Sequence, residues 1–287
     1  MSAIYRRELK SLFSGMIAPV FISFLLLMAG VYTCSINFER RYPTFENVIS
    51  GILFIFLIIV PILTMRSFSE ERAAKTDQLL YTLPLRTSSI VIGKYLAMVT
   101  VLAIASGVLC IYPLILSLYG SVYFTTAYAS ILAFFLVGCS LIAIGMFISS
   151  ITESQVIAAV LTLGVFIVLY LIDGITTMIN DSTGTSFALF VALCVAIALL
   201  VYVMTKNAMV STAVATVLIV GMSVVYFVKS SVFEGAFADM LNSVAIFSGM
   251  ESFMYGIFDL GAVIYYLSVV ILFGFFTVQS VDKKRWS

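Results

Sequence analysis

The residue types that carry most enzyme chemistry are scarce in this sequence. It contains no histidine. Its four cysteines lie in apolar runs without the spacing of a metal site: Cys34, Cys110, Cys139 and Cys194. Gly93-Lys94 is the nearest approach to a phosphate-binding loop, but that loop needs glycine where Ser88 stands and Ser or Thr where Tyr95 stands. We therefore expect no catalytic site, no metal site and no cofactor bound by this chain.

Ionisable groups inside apolar runs would indicate transport coupled to an ion gradient, because a charge at membrane depth is retained only for function. The carboxylates closest to these runs lie at their ends: Glu153, Asp173 and Asp259. The interiors of the runs carry Ser, Thr, Tyr, Gly and Met instead. The sequence offers no carboxylate near the midplane, so the energy for any transport must come from elsewhere. Secondary transport stays open as a disfavoured alternative.

The elements that must position any site are membrane-spanning helices. The 287 residues are 62% hydrophobic and 10% charged, whereas soluble domains are about 45–50% apolar and about 25% charged. Mean hydropathy is +1.17. The net charge of +1 gives no electrostatic reason to bind nucleic acid. The apolar runs are long enough for helices to span a membrane and do not alternate as barrel strands do. We expect an all-α polytopic membrane protein with one transmembrane domain over 1–287.

Eight runs are predicted to span the membrane: Ile17–Ser35, Ile49–Met65, Ile90–Tyr119 with a kink at Pro113, Tyr123–Ile151, Gln155–Ile172, Ser186–Met204, Ala208–Val228 and Leu260–Ser280. Lys and Arg residues concentrate in cytoplasmic loops. With the N-terminus inside, 12 of the 15 basic residues lie inside and 3 outside. Because eight spans return the chain to its starting side, both termini are predicted to be cytoplasmic.

Two segments outside these runs are amphipathic. Residues 2–16 place their apolar side chains on one helical face: Tyr5, Leu9, Leu12, Phe13 and Met16. Arg6, Arg7 and Lys10 lie off that face, which favours an elbow helix at the membrane interface, in contact with lipid headgroups; the alternative is a plain cytoplasmic extension. The external segment 229–259 repeats apolar residues at helical spacing and is predicted to form short interfacial helices.

The cytoplasmic segment 66–89 carries the most informative pattern. Glu71 and Lys75 form an i,i+4 pair in the favourable order. Leu79, Leu80 and Leu83 form an apolar ridge, and Pro84 ends the helix. Because this helix continues a span directly, it suits docking into the groove of a partner and transmitting its motion. The alternative is that its charges only solvate a connecting loop.

This segment resembles the first cytoplasmic loop of ABC-2 type permeases, the membrane subunits of bacterial ABC transporters. The shared residues are Glu70-Glu71-Arg72, Thr76, Leu79-Leu80, Thr82-Leu83-Pro84 and Gly93-Lys94. The chain departs from that pattern at Lys75, where glycine is usual, and at Asp77-Gln78, where a glutamate is usual. The resemblance covers about 1–175 and 245–287, and its C-terminal part resembles the gliding-motility branch. Family members have six spans, so 186–228 looks like an extra two-span hairpin.

The resemblance implies a multi-pass permease of the bacterial inner membrane that works as a homodimer or heterodimer and exports its substrate. It implies an ABC ATPase partner that binds ATP and Mg²⁺, together with contact to membrane lipids. The residues it assigns to ATPase coupling are Glu70, Glu71, Arg72, Thr76, Leu79, Leu83 and Pro84. The alternative from a different class is a membrane anchor or regulatory subunit that transports nothing.

Overall fold

The computed structural model describes residues 2–75, 86–178, 182–205, 208–228 and 233–285, and these residues form helices and no strand. The predicted all-α class is confirmed. The predicted coupling residues Thr76, Leu79, Leu83 and Pro84 lie outside the described residues. The chain divides into two compact units, one of Met1–Val168 with Gly249–Ser287 and one of Leu169–Ser248.

The first unit begins with two helices separated by a sharp turn. Helix α1 is Ser2–Ser14 and helix α2 is Ile17–Thr33, which continues as a π-helical turn over Cys34–Glu39. Met16 between them has a φ of 63°, a left-handed conformation that no residue inside an α-helix adopts. Residues 2–16 are thus a separate helix with a turn, as the amphipathic pattern predicts.

The next two helices are nearly continuous. Helix α3 is Glu46–Thr64 and helix α4 is Arg66–Ala73, with Met65 between them in helical conformation. The backbone N–H of Met65 bonds to the carbonyl of Pro61 at 2.8 Å. Motion of α4 can therefore pass directly along the axis of α3.

Three further helices described in the structure belong to the first unit, and a fourth begins in the first unit and ends in the second. Helix α5 is Thr87–Leu109, α6 is Ile111–Ser117, α7 is Phe124–Ile151 and α8 is Gln155–Met178. The break between α5 and α6 lies at Cys110, because Pro113 has no N–H to bond the carbonyl four residues earlier. The helix is thus interrupted close to the predicted kink at Pro113, and the kink itself stays a prediction.

In its described residues, the second unit contains the last turns of α8 and three helices of its own: α9, Thr183–Thr205; α10, Ala208–Val228; and α11, Ala236–Val244. Helices α9 and α10 pack against each other. Phe190 of α9 contacts Phe233 and Phe237 with ring centroids 5.8 Å and 5.2 Å apart. The chain then forms a 3₁₀ turn over Ser248–Met250, helix α12 over Glu251–Met254 and helix α13 over Leu260–Arg285. The short helices predicted within 229–259 are present.

Helix α7 lies at the centre of the first unit and packs against α3, α5 and α13. Phe56 of α3 and Phe134 of α7 are fully buried, with ring centroids 4.4 Å apart. Gly138 lets these helices approach closely, since a Cβ there would lie 2.7 Å from the Phe56 ring.

Within the described residues, six helical segments are long and apolar enough to cross a membrane: Ile17–Glu39, Glu46–Ala73, Thr87–Ser117, Phe124–Ile151, Gln155–Thr176 and Leu260–Lys284. They correspond to six of the predicted spans. The other two predicted spans coincide with α9 and α10, and the count of eight stays a prediction.

Candidate functional site

Several helix ends of the first unit meet at one end of the bundle, which we call the α4 end. The hydroxyl of Thr87, in the first turn of α5, donates to Asp282 Oδ1 of α13 at 2.5 Å. Ser280 Oγ of α13 donates to the carbonyl of Ser150 in the last turn of α7 at 3.2 Å. Helix α4 packs against α7 in the same region. At the α4 end, polar groups of α5, α7 and α13 are therefore hydrogen-bonded to one another.

Ser149 of α7 fixes the junction between α3 and α4. Its hydroxyl accepts hydrogen bonds from the backbone N–H of Phe68 at 3.2 Å and of Ser69 at 3.3 Å. The same hydroxyl donates to the carbonyl of Met65 at 3.0 Å. Ser149 is fully buried, and in a dry environment each of these bonds is costly to break. One side chain therefore joins three backbone groups of the junction to α7.

Lys94 of α5 holds α4 from another side. Its Nζ lies 2.9 Å from Glu71 Oε1 of α4 and 3.3 Å from Glu8 Oε1 of α1, and it donates to the carbonyl of Ser67 at 2.6 Å. The Lys94 side chain is 3% exposed, and its ammonium also lies 5.1 Å from the centroid of the Phe68 ring. A buried ammonium with all three donors engaged is well satisfied. Lys94 thereby connects three helices: α1, α4 and α5.

Arg72 completes the attachment of α4. Its Nη1 donates to the carbonyl of Thr152 at 3.2 Å, just beyond the last turn of α7, where a positive charge interacts favourably with the helix dipole. Arg72 is 9% exposed, and its Nε and Nη2 have no hydrogen-bond partner among the described residues. The guanidinium therefore faces the protein.

The exposed side of α4 carries a different ion pair. Arg66 and Glu70 form a bidentate pair one helical turn apart, and their side chains are 30% and 42% exposed. Glu71 is 16% exposed and Arg72 is buried, so of the three charged residues 70–72 only Glu70 lies on the exposed side of α4. Their role in ATPase coupling stays a prediction. Consecutive residues in a helix point about 100° apart, which is why Glu70 and Glu71 have different surroundings.

Helix α4 ends in a left-handed turn. Ala74 follows the last helical residue, and Lys75 has a φ of 55°. The backbone N–H of Lys75 bonds to the carbonyl of Arg72 at 2.9 Å. This is the position after a helix where glycine is preferred. The departure of Lys75 from the glycine of the permease pattern therefore lies at a site where a lysine is conformationally strained.

Helix α1 turns its basic residues outward and its acidic residue inward. Arg6, Arg7 and Lys10 are exposed, whereas Glu8 reaches Lys94. The Tyr5 hydroxyl lies 3.0 Å from the Thr100 hydroxyl of α5, so α1 is attached to α5 at two points. The three basic residues have the exposure that contact with lipid headgroups requires, and that contact stays a prediction.

Several residues of this site were not among the predicted site residues, and they include Glu8, Lys94 and Ser149. Lys94 lies within a predicted span, where a charge indicates function by default, and that signal could have found it. Ser149 has no comparable signal, because serines are common in these helices. Within the described residues, no group of three His, Cys, Asp or Glu side chains could hold a metal ion.

One comparison with known proteins gives a match. The family model for ABC-2 family transporter protein matches residues 7–183, more than half of the chain. The matched region contains most of α1 and all of α2 to α8, and hence the residues described above on these helices except Tyr5 and Arg6. Neither the curated proteins nor the solved structures contain a significant match.

Proposed function

Because the chain belongs to the ABC-2 family of transporter proteins, we propose that it is a permease subunit driven by a separate ABC ATPase that binds ATP and Mg²⁺. Membership in this family and the apolar helices of the described residues make it a multi-pass membrane protein of the transport machinery. The finer proposal is that ATPase motion enters through α4, and that two permease copies form an export path between them.

One observation carries this proposal: α4 is joined to the membrane helices on several sides. Met65 links it to α3, Ser149 and the carbonyl of Thr152 link it to α7, and Lys94 links it to α5 and α1. A force on α4 is therefore passed to four other helices at once. A loop whose charges only meet solvent would not need these attachments.

The distribution of basic residues supports a cytoplasmic location of the α4 end. The bases of α1, of α4 and of the last turns of α13 all lie there, and Arg40 and Arg41 lie at the other end of the first unit. By the positive-inside tendency, the α4 end faces the compartment that contains ATP. In this proposal the contact with the ATPase comprises Glu70 and the segment that follows α4, with Leu79 and Leu83.

The test reconstitutes the chain with the ABC ATPase from its gene neighbourhood and measures ATP hydrolysis and the affinity between the subunits. The chain alone should hydrolyse no ATP. Leu79→Asp with Leu83→Asp should weaken binding of the ATPase by about 30-fold, the effect of losing a central interface anchor. The matched control is Leu118→Asp, which changes an exposed leucine at the other end of the first unit and should leave binding unchanged.

The outcomes separate the alternatives. ATPase binding without ATP-dependent transport in any assay would indicate an anchor subunit. Transport that follows an ion gradient without ATP would indicate a secondary transporter. Normal ATPase binding by the doubly substituted chain would exclude the segment after α4 as the coupling surface.

A further inference from the structure

An apolar groove of about 300 Å³ lies between α2 and α3. Its walls include exposed side chains from both helices: Val20, Phe24, Ile58 and Ile62, each 41–56% exposed. Because both helices are candidate membrane spans, this surface is expected to face hydrocarbon. The groove is therefore a place where an apolar chain can lie lengthwise.

The groove ends at the turn between α1 and α2. Gly15 and Met16 form that end, and from Ile17 to Phe24 it extends about 11 Å along α2 at 1.5 Å per residue. One leaflet contributes about half of the ~30 Å hydrocarbon core. The groove is therefore long enough to hold part of one acyl chain of a lipid in the leaflet on the α4 side of the membrane.

The guanidinium of Arg66 lies at the same end of the groove. Arg66 Nη1 lies 3.6 Å from the position that a Cβ on Gly15 would occupy. A guanidinium has five N–H donors, and the pair with Glu70 engages its Nε and Nη2. The remaining nitrogen is the one directed toward Gly15. Arg66 is 30% exposed, so a headgroup can reach it.

The groove also adjoins a small polar cavity of about 40 Å³, with which it shares Ile17 and Leu63 as lining residues. The polar cavity is lined by the cations Arg66 and Lys94 and by the carboxylates Glu70 and Glu8 that pair with them. An apolar channel that meets a polar wall at one end matches the shape of an amphiphile. The polar wall marks the level at which the headgroup would stop.

We propose that this groove binds one acyl chain of an anionic phospholipid, whose phosphate contacts Arg66. The exposed Arg6, Arg7 and Lys10 add positive charge along α1, the helix that precedes this turn, and basic residues near a membrane surface attract anionic lipids. A second protein copy could fill the groove, but the exposed cations of α1 favour an anionic lipid as the occupant. The proposal is independent of the ATPase partner and of transport.

The test uses the single tryptophan of the chain. Trp286→Phe removes it, and Phe24→Trp places a new fluorophore in the groove. This protein is reconstituted in phosphatidylcholine vesicles containing either acyl-brominated phosphatidylglycerol or the same amount of acyl-brominated phosphatidylcholine. The brominated phosphatidylglycerol should quench the groove fluorophore at about fivefold lower mole fraction, the preference that one cation near an anionic surface gives.

Two comparisons isolate the site. Phe275→Trp, in a Trp286→Phe chain that keeps Phe24, reports on an exposed position of α13 and should be quenched equally by both lipids. Arg66→Gln should abolish the lipid preference of the groove fluorophore, whereas Glu70→Gln breaks the same ion pair but keeps the cation and should preserve it.

Two results would overturn the proposal. Equal quenching of the groove fluorophore by both brominated lipids would show that the groove does not select an anionic headgroup. Weak quenching by both, together with disulfide cross-linking of Val20→Cys between two copies, would show that protein covers the groove.

Discussion

Lys94→Met is the substitution that should most strongly weaken the α4 end. The methionine has about the size of the lysine side chain but lacks the ammonium, so the apolar stem is kept and the charge is lost. Glu71 and Glu8, at 16% and 19% exposure, would then face each other without the cation that now lies between them. The carbonyl of Ser67 would also lose its donor.

The size of the effect follows from this geometry. Removing one partner of a buried ion pair costs about 3–5 kcal/mol, because the remaining charge is buried and uncompensated. Both carboxylates keep some contact with solvent, so we expect the lower end, about 3 kcal/mol. Glu71→Gln alone should cost about 1–2 kcal/mol, since Lys94 keeps its bonds to Glu8 and Ser67.

The measurement is the free energy of unfolding in mixed detergent micelles, with helix content as the signal. The rescue variant combines Lys94→Met with Glu8→Gln and Glu71→Gln, which removes all three charges and should recover most of the loss. Lys10→Met is the matched control, because Lys10 is exposed on α1 and should change stability by less than about 0.5 kcal/mol. A Lys94→Met protein as stable as the Lys10→Met control would refute the assignment of Lys94 as the connecting residue.

Three further predictions concern the same framework. Ser149→Ala should lower the free energy of unfolding by about 1–3 kcal/mol because three backbone groups each lose one hydrogen bond. Ser150→Ala should cost less, since that hydroxyl bonds within its own helix. Lys75→Gly should raise the free energy of unfolding by about 0.5–1 kcal/mol, because glycine adopts the left-handed conformation of this position without strain. Lys75→Ala should give no such gain, and equal gains from the two substitutions would contradict the reasoning. Cysteine labelling of a cysteine-free variant should place Asn207 inside and Asp181 outside, and external labelling of Asn207 would contradict the eight-span topology.

Hydrophobic patterning predicted most of the helices of this chain. Apolar runs of sufficient length define membrane spans whatever their neighbours are, so the spans found among the described residues and the break near Pro113 could be derived from local sequence. The turn at Met16 was predicted as a boundary between an amphipathic and an apolar helix, but its left-handed conformation carries no signal in a methionine. The closeness of α3 and α7 at Gly138 depends on packing that no local pattern encodes.

The candidate site was less predictable, because its arrangement depends on which helix supplies the opposite charge. The i,i+4 rule pairs Glu71 with Lys75, yet Glu71 reaches Lys94, a residue far along the chain on another helix. The rule describes an isolated helix in water. At the α4 end, the ammonium of Lys94 is buried on α5 and requires a negative charge nearby. Glu8 and Glu71 contact it while their own side chains stay partly exposed. Glu71 therefore pairs with the buried ammonium of Lys94, although the rule for isolated helices favours a pair with Lys75.

This arrangement has a mechanical consequence for α1. Glu8 and Glu71 bind the same ammonium, so a displacement of α4 that keeps Lys94 paired with Glu71 must move α5, and α1 follows through Glu8 and through Tyr5. If α4 moved alone, the Lys94 ammonium would lose a partner inside the protein, which is costly where solvent cannot replace it. The less costly motion keeps these contacts and moves α1 and α5 together with α4, along with α3 and α7, to which α4 is also joined. If the motion of the ATPase enters through α4 as proposed, we expect α1 to move with it.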